Sequence, residues 1–391
     1  MKPNIIHSIV VCLAAFALPF MVACSSQEES LPDNVEEAVL CLNIEPIGQT
    51  RASTAELPDN EKMHSVRVVV LDKNMTIEHN KYYGLEDAQD RKFITLKVKP
   101  NEKKMIYLFA NEESVSSVGG VIIPGGGTAL AAFFNSYKVG DSNFNVEVDK
   151  LYFAPDYSAG KPIPMSSMYE IDFPEKGNFD GTFYVVRVAT KFTVNFKNWR
   201  GEEVTVENFT IASHADKNFL MAHVNSYPDT QNHETNQKYP TWIDWLKAVS
   251  DASNVDSDAA TEEFGWLTDY ELPEQSTATI YTHGKVTVGK PTVDIENPNN
   301  SKPGVANVVP VFYLPESKNL KAGEPTVGEQ EYTLSINIVG RAETFVCKLD
   351  KLKALFRNTH LVVNITMYNS NEIVVDVIPY SEVILEPEFG L

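Results

Sequence analysis

The feature that most constrains this chain is a two-residue rhythm of apolar side chains, broken by turn residues every 8–15 positions. Lys92–Val98 reads KFITLKV, with Ile94, Leu96 and Val98 on one side and Phe93, Thr95 and Lys97 on the other. Successive side chains of a strand point to opposite faces, so this alternation predicts a strand with one buried face. Residues 66–71, 105–109, 168–173 and 183–196 are likewise rich in β-branched or aromatic side chains, and Asp72-Lys73-Asn74, Pro100-Asn101-Glu102 and Asp180-Gly181 punctuate them. Further strands are predicted over 204–212, 278–283, 307–314, 332–339 and 360–367. Many short strands at this spacing predict antiparallel sandwiches, and 391 residues suffice for two domains. Two stretches depart from the rhythm: residues 128–138 (TALAAFFNSYK) predict a short helix, and 241–249 place Trp242, Trp245 and Leu246 at helical spacing. A helix packed on a sheet explains the second better than a sugar-stacking pair of tryptophans.

The two ends of the chain carry the most specific pattern. Ala38, Leu40, Leu42 and Ile44 alternate with Val39, Cys41, Asn43 and Glu45, which predicts a first strand. Residues 48–54 (GQTRAST) are small and polar, and Arg51 is the one basic residue between Lys2 and Lys62. A loop of that kind is open to proteolytic nicking; the ordinary alternative is a surface arginine in a linker. Near the other end, Ile373, Val375, Val377, Val383, Leu385, Phe389 and Leu391 share one side, while Asp376, Tyr380, Glu382, Glu386 and Glu388 share the other. That is either the edge strand of the chain's own last sheet or a strand meant for another molecule's core.

Charge and cysteine usage exclude several classes. With 33 basic and 53 acidic residues the net charge is −20, which argues against nucleic acid as a partner. The four cysteines are Cys12, Cys24, Cys41 and Cys347, and Cys41 with Cys347 is the one intramolecular pair open to a mature chain, so stability must come from core burial. The first 24 residues have Lys2, an apolar run over 5–23 and Cys24, a secretory signal to be set apart from the fold. It resembles a bacterial lipoprotein signal, in which Cys24 is acylated (palmitate among the lipids) and becomes the first mature residue; a plain signal peptide is the alternative. The SSQEES that follows resembles the sorting signal of Bacteroidetes surface lipoproteins. No second apolar run reaches about 18 residues.

Signatures of chemistry are missing from the sequence. The eight histidines form no H-E-x-x-H, and there is no G-x-S-x-G and no C-x-x-C. Gly125-Gly126-Gly127 is followed by no Lys-Ser/Thr and reads as a turn; the acidic stretch 251–264 fails the calcium-loop pattern because Val255 takes a ligand position and Asp256 the glycine position. The expectation is therefore no enzyme, no metal and no cofactor.

Several stretches together resemble the fimbrillins of Bacteroidales: MHSVRVVVLD, KKMIYLFANE, IPMSSMYEIDF, VVRVATKFTVNF, VFYLPES and FRNTHLVVNITMY. The ending PEFGL is most similar to the shaft subunit of minor, short-type fimbriae. The resemblance implies two tandem antiparallel Greek-key (transthyretin-like) β-sandwiches with short helical insertions and a C-terminal donor strand. It divides the chain into a signal peptide (1–23), a propeptide with the first strand (24–51), an N-terminal sandwich (52–197), a C-terminal sandwich (198–372) and a donor strand (373–391). It further implies lipidation at Cys24, cleavage by an arginine-specific protease between Arg51 and Ala52, and displacement of the strand bearing Ala38, Leu40, Leu42 and Ile44. Val377, Val383, Leu385, Phe389 and Leu391 of a neighbouring copy would take its place. The partners expected are identical subunits, fimbrial anchor and tip subunits, and the outer membrane through the lipid; the location is a cell-surface fimbria supporting adhesion. An anchor or tip subunit, or a surface glycan-binding lipoprotein, is the rival expectation. Arg357-Asn358-Thr359-His360 is given only a role at the start of a strand.

Overall fold

The computed structural model describes residues 38–47, 57–175, 177–212, 214–224, 270–271, 280–306, 311–318, 332–349, 354–368 and 373–378. Their regular structure is mostly strand, arranged in two sandwiches. The first contains β1 (Ala38–Pro46), β2 (Met63–Leu71), β3 (Ile77–Gln89), β4 (Lys92–Val98), β5 (Lys103–Ala110), β6 (Tyr152–Phe153), β7 (Met165–Asp172) and β8 (Gly177–Arg187). Helices α1 (Leu130–Ser136) and α2 (Phe144–Val148) lie between β5 and β6. The main strands run in the order β3-β2-β5-β7-β8-β1-β4. Strand β8 turns this ladder into two layers: Gly177–Val185 pair with β1, while Val186 and Arg187 pair with Ser166 and Met165 of β7. Between the layers Leu40, Leu42, Ile44, Val68, Val70, Ile94, Leu96, Leu108 and Val185 form one apolar core.

Strand β2 shows why its sequence is an unbroken run, Val68-Val69-Val70-Leu71, where alternation would be expected. Val68 and Val70 face the sandwich core; Val69 and Leu71 face a second cluster with Tyr107, Phe109, Phe133, Phe134 and Phe144. The helices thus cover the outer face of the sheet. In that cover Gly125 and Gly126 have φ of +90° and +83°, a turn that disfavours side chains.

The second sandwich and the short pairs around it comprise β9 (Thr190–Asn198), β10 (Val204–Ala212), β11 (Asn218–Phe219), β12 (His223–Val224), β13 (Tyr270–Glu271), β14 (Ile280–His283), β15 (Val286–Val288), β16 (Gly304–Val305), β17 (Phe312–Leu314), β18 (Ser317–Lys318), β19 (Thr333–Ile338), β20 (Phe345–Lys348), β21 (Ala354–Leu355), β22 (His360–Met367) and β23 (Ile373–Ile378). One layer is β14-β10-β19-β20 with β15 on β10; the other is β16-β9-β22-β23 with β17 on β9. Phe192, Val194, Phe196, Phe209, Phe312, Leu334, Ile336, Leu361 and Val363 fill the space between. Of the short strands, β11 pairs with β6, tying the two sandwiches together, and β12 pairs with β13 and β18 with β21.

Four expectations need correction. The sandwiches are not purely antiparallel: β1 runs parallel to β8, and β22 parallel to β9. Alternation reports which face of a strand is buried and is silent on the direction of its neighbour. The run 183–196 is two strands, broken at Val188-Ala189, and β9 pairs with β22, β16 and β17, so the division between sandwiches falls there and not at 197/198. The crossing carries no turn residues because Val186, Val188, Ala189 and Thr190 stay buried as the chain passes from one core to the other. The expected helix over 128–138 is shorter, Leu130–Ser136, and α2 was not foreseen. Finally, β23 pairs with β22, Val377 opposite Val363, so residues 373–378 belong to the chain's own sheet. Cys41 and Cys347 sit on β1 and β20 in different sandwiches, and no disulfide joins them.

Candidate strand-exchange slot

Strand β1 is the first described strand in sequence, yet it lies inside its sheet. Ala38 to Ile44 pair antiparallel with Val98 to Lys92 of β4, and Ala38 to Pro46 pair in parallel with Gly177 to Val185 of β8. From Ala38 to Ile44 both backbone edges therefore meet a neighbour. Ala38, Leu40, Leu42 and Ile44 are each at most 1% exposed. At roughly 1.5–3 kcal/mol for each fully buried Leu or Ile, the three large side chains contribute about 5–9 kcal/mol of gross burial. Covalently, β1 reaches the rest of its sandwich only through residues 48–56, the segment with Arg51.

The outward face and the C-terminal end of β1 are pinned by polar contacts. Asn43 Nδ2 donates to Glu45 Oε1 (2.7 Å) and to Thr182 Oγ1 of β8 (3.1 Å), while Arg91 Nε pairs with Glu45 Oε1 at 2.7 Å. Burial, followed by the hydrogen bond and charge of Asp180, pushes the Cys41 thiol up from its ordinary value. Past Pro46, the Ile47 N–H donates to the Val185 carbonyl (3.0 Å) and its carbonyl accepts from Arg187 Nη1 (2.8 Å). Arg187 is 8% exposed; its Nε donates to the Glu61 carbonyl and its Nη1 also to Asn358 Oδ1 of the second sandwich, while its Nη2 has no hydrogen-bond partner. The end of β1 is thus held by the residue that also bridges the junction of the sandwiches.

That junction is polar and buried. Glu61 receives Lys191 Nζ at 2.7 Å and the Tyr313 hydroxyl at 2.6 Å. Burial pushes its carboxyl up, but Arg187, Lys191 and the Tyr313 hydrogen bond outweigh this and hold it below the usual carboxylate range. Deeper in, Arg357 is fully buried and pairs with Glu316 through Nε (2.9 Å) and Nη2, while donating to Ser166 Oγ of β7 and to the carbonyls of Phe219, Leu220 and Met221. Asn358 follows at φ +59°, its N–H donating to the Ala189 carbonyl. The stretch Arg357-Asn358-Thr359-His360 therefore does more than begin a strand: it joins the two sandwiches. Nothing in its sequence marked Arg357 as buried, because an arginine signals its partner only when the fold brings Glu316 to it.

Of the residues singled out from sequence, Ala38, Leu40, Leu42 and Ile44 line one face of one slot, and Val377 lies in the opposite sandwich. Cys24, Arg51, Ala52, Val383, Leu385, Phe389 and Leu391 lie outside the described residues, as do 241–249 and 251–264. Among the described residues there is no group of three or more His, Cys, Asp or Glu that could hold a metal. No described helix is long and apolar enough to cross a membrane.

No protein-family model matches this chain, and no curated protein matches its sequence. Solved structures do resemble it, among them fimbrial and cell-adhesion proteins. The tip fimbrial protein Mfa3 of Porphyromonas gingivalis, solved with a C-terminal truncation, is similar over 88% of this chain and 99% of its own, at 12% identity and a TM-score of 0.47. A candidate cell adhesion protein of Parabacteroides distasonis is similar over 89% and 99%, at 14% identity and 0.47. A fimbrial assembly protein of the same organism is similar over 87% and 95%, at 10% identity and 0.42.

Proposed function

We propose that this chain is the shaft subunit of a cell-surface fimbria, exported as a lipoprotein on Cys24, cleaved after Arg51 and polymerised by insertion of a neighbour's terminal strand. The observation that carries the reading is the position of β1, an interior strand whose one covalent tie to its sandwich runs through the segment containing Arg51. Cutting that segment and withdrawing β1 leaves β4 and β8 with unpaired backbone groups on either side of an apolar slot. An open edge of that kind templates the addition of another strand. While β1 stays in place the slot is filled, and the subunit has no open site for a partner during export.

The terminal segment supplies the complementary piece, with Val383, Leu385, Phe389 and Leu391 on one side and Glu382, Glu386 and Glu388 on the other. A shaft subunit needs both the cleavable strand and the donor segment; an anchor dispenses with the cut and a tip with the donor. The test is N-terminal sequencing of the protein in sheared surface material, paired with fibre formation by purified, trypsin-trimmed protein with and without residues 381–391. A mature start at Ala52 and fibres only with the segment present are expected; fibres formed equally well without it would overturn the reading.

A further inference from the structure

We infer that the register of the incoming strand is set by two prolines: residues 380–386 of a second copy occupy the slot positions of 39–45, in the same polarity as β1, with Pro379 and Pro387 at its ends. This deepens the proposed function and rests on the departure of β1. An interior strand must donate its N–H groups to the ladder, so proline is confined to strand ends, edges and bulges. In the slot both edges are paired from Ala38, the first residue of the strand and a position open to proline, to Ile44, and Pro46 marks the end, facing Val185 of β8 beyond the last β4 pair, Ile44 with Lys92.

The sequence from residue 373 onward offers three proline-free pieces, 373–378, 380–386 and 388–391. The first already pairs with β22. The last contains Gly390, a residue that weakens a strand interior. Residues 380–386 number as many as 39–45, and the prolines flanking them, Pro379 and Pro387, are spaced as Ala38 and Pro46 are. This placement turns Ser381, Val383 and Leu385 inward at the positions of Leu40, Leu42 and Ile44, and leaves Glu382 and Glu386 outward. The parity that the prolines demand is the one the apolar alternation also shows.

Polarity follows from a repeated stretch. Leu42-Asn43-Ile44-Glu45-Pro46 closes β1, and Val383-Ile384-Leu385-Glu386-Pro387 recurs in the terminal segment, apolar residues and Glu-Pro in the same order. Running as β1 does, the segment sets Glu386 where Glu45 now meets Arg91 at 2.7 Å. It also places a backbone carbonyl after the proline where the buried Arg187 guanidinium now holds that of Ile47. Reversed, the Glu-Pro pair would fall at the Ala38 end, and Ser381 would replace Ile44.

The experiment traps the register as a disulfide in fibres grown from trimmed protein. Asn43 pairs with Thr182 of β8 and Cys41 with Asp180, and both β8 residues are exposed. Ile384→Cys combined with Thr182→Cys is expected to give a covalent ladder of subunits on a non-reducing gel, and Ile384→Cys with Asp180→Cys is not. A ladder with Asp180→Cys instead overturns the polarity; fibres without a ladder in either pair overturn the register. Both results differ from failure of the strand-exchange reading itself, in which fibres form without the segment. A second arm uses substitutions in the segment alone: Leu385→Pro should abolish fibre formation, and Glu388→Pro, outside the doubly paired stretch, should leave most of it. Equal fibre formation by the two variants would sink the proposal.

Discussion

The two sandwiches solve the same packing problem with opposite attachments. Each has an interior strand in a parallel pair: β1 beside β8 in the first, β9 beside β22 in the second. Both strands bury one apolar face completely, Ala38, Leu40, Leu42 and Ile44 in one and Phe192, Val194 and Phe196 in the other. They differ in how they are tied. Strand β9 is threaded in mid-chain, joined to β8 through the buried Val188-Ala189 crossing and followed soon by β10. Strand β1 stands before the segment with Arg51 and is held at its far end by Arg187. One cut therefore frees β1 from its sandwich, whereas no single cut frees β9. The burial is the same, so a difference in how readily the two strands could leave would come from connectivity.

The strongest way to break this comparison is at the cut. Arg51→Ala should keep β1 in its slot and abolish fibres, read by electron microscopy of surface material; normal fibres from that variant would falsify the processing step. Core truncation sharpens it next. Phe192→Ala in β9 should cost about 3–5 kcal/mol in both precursor and processed subunit, whereas Leu42→Ala should cost about 2–5 kcal/mol in the precursor only. Urea midpoints before and after trypsin trimming give both numbers. At the seam between the sandwiches, Arg357→Leu removes the guanidinium paired with the buried Glu316 and should cost about 3–5 kcal/mol, measured the same way.

Acid is expected to weaken the second sandwich by a smaller amount. Burial, helped by Lys191, depresses His360 at the start of β22 from 6.5 to about 4, and its Nε2 lies 2.8 Å from Thr193 Oγ1 of β9. Neutral in the fold and ordinary when unfolded, this histidine leaves stability intact above pH about 6.5, and stability is lost as pH falls toward about 4. The full depression corresponds to roughly 3 kcal/mol. Unfolding at pH 7 and pH 4.5 should show that loss, and His360→Asn should show less of it. The least effect is expected at Arg91, whose pair with Glu45 is partly exposed: Arg91→Ala should change precursor stability by under about 1 kcal/mol.

Much of the fold was legible because strand formation is a local matter. The alternation of 92–98 and of 38–45 marked each strand and its buried face. Where the reading failed, a local rule met a tertiary one. Val68-Val69-Val70-Leu71 is continuous because helices cover a second face, and 183–196 looks like one strand because the chain stays buried while changing sandwiches. Val377 shares its period-2 side with Leu385, yet its backbone pairs with β22; periodicity tells which side is apolar and not whose core receives it.

The sequence by itself determined which residues alternate, where the chain turns, that Arg51 stands alone in a small-residue segment, and that Pro379 and Pro387 bracket seven others. Those are properties of neighbours along the chain. Only the tertiary structure decided that β1 is interior, that it runs parallel to β8, and that Arg187, Glu61, Arg357 and Glu316 meet at the junction. Each depends on residues more than a hundred positions apart or on charges buried together, and a hydrogen-bond ladder or an ion pair leaves no periodic trace in either strand that forms it.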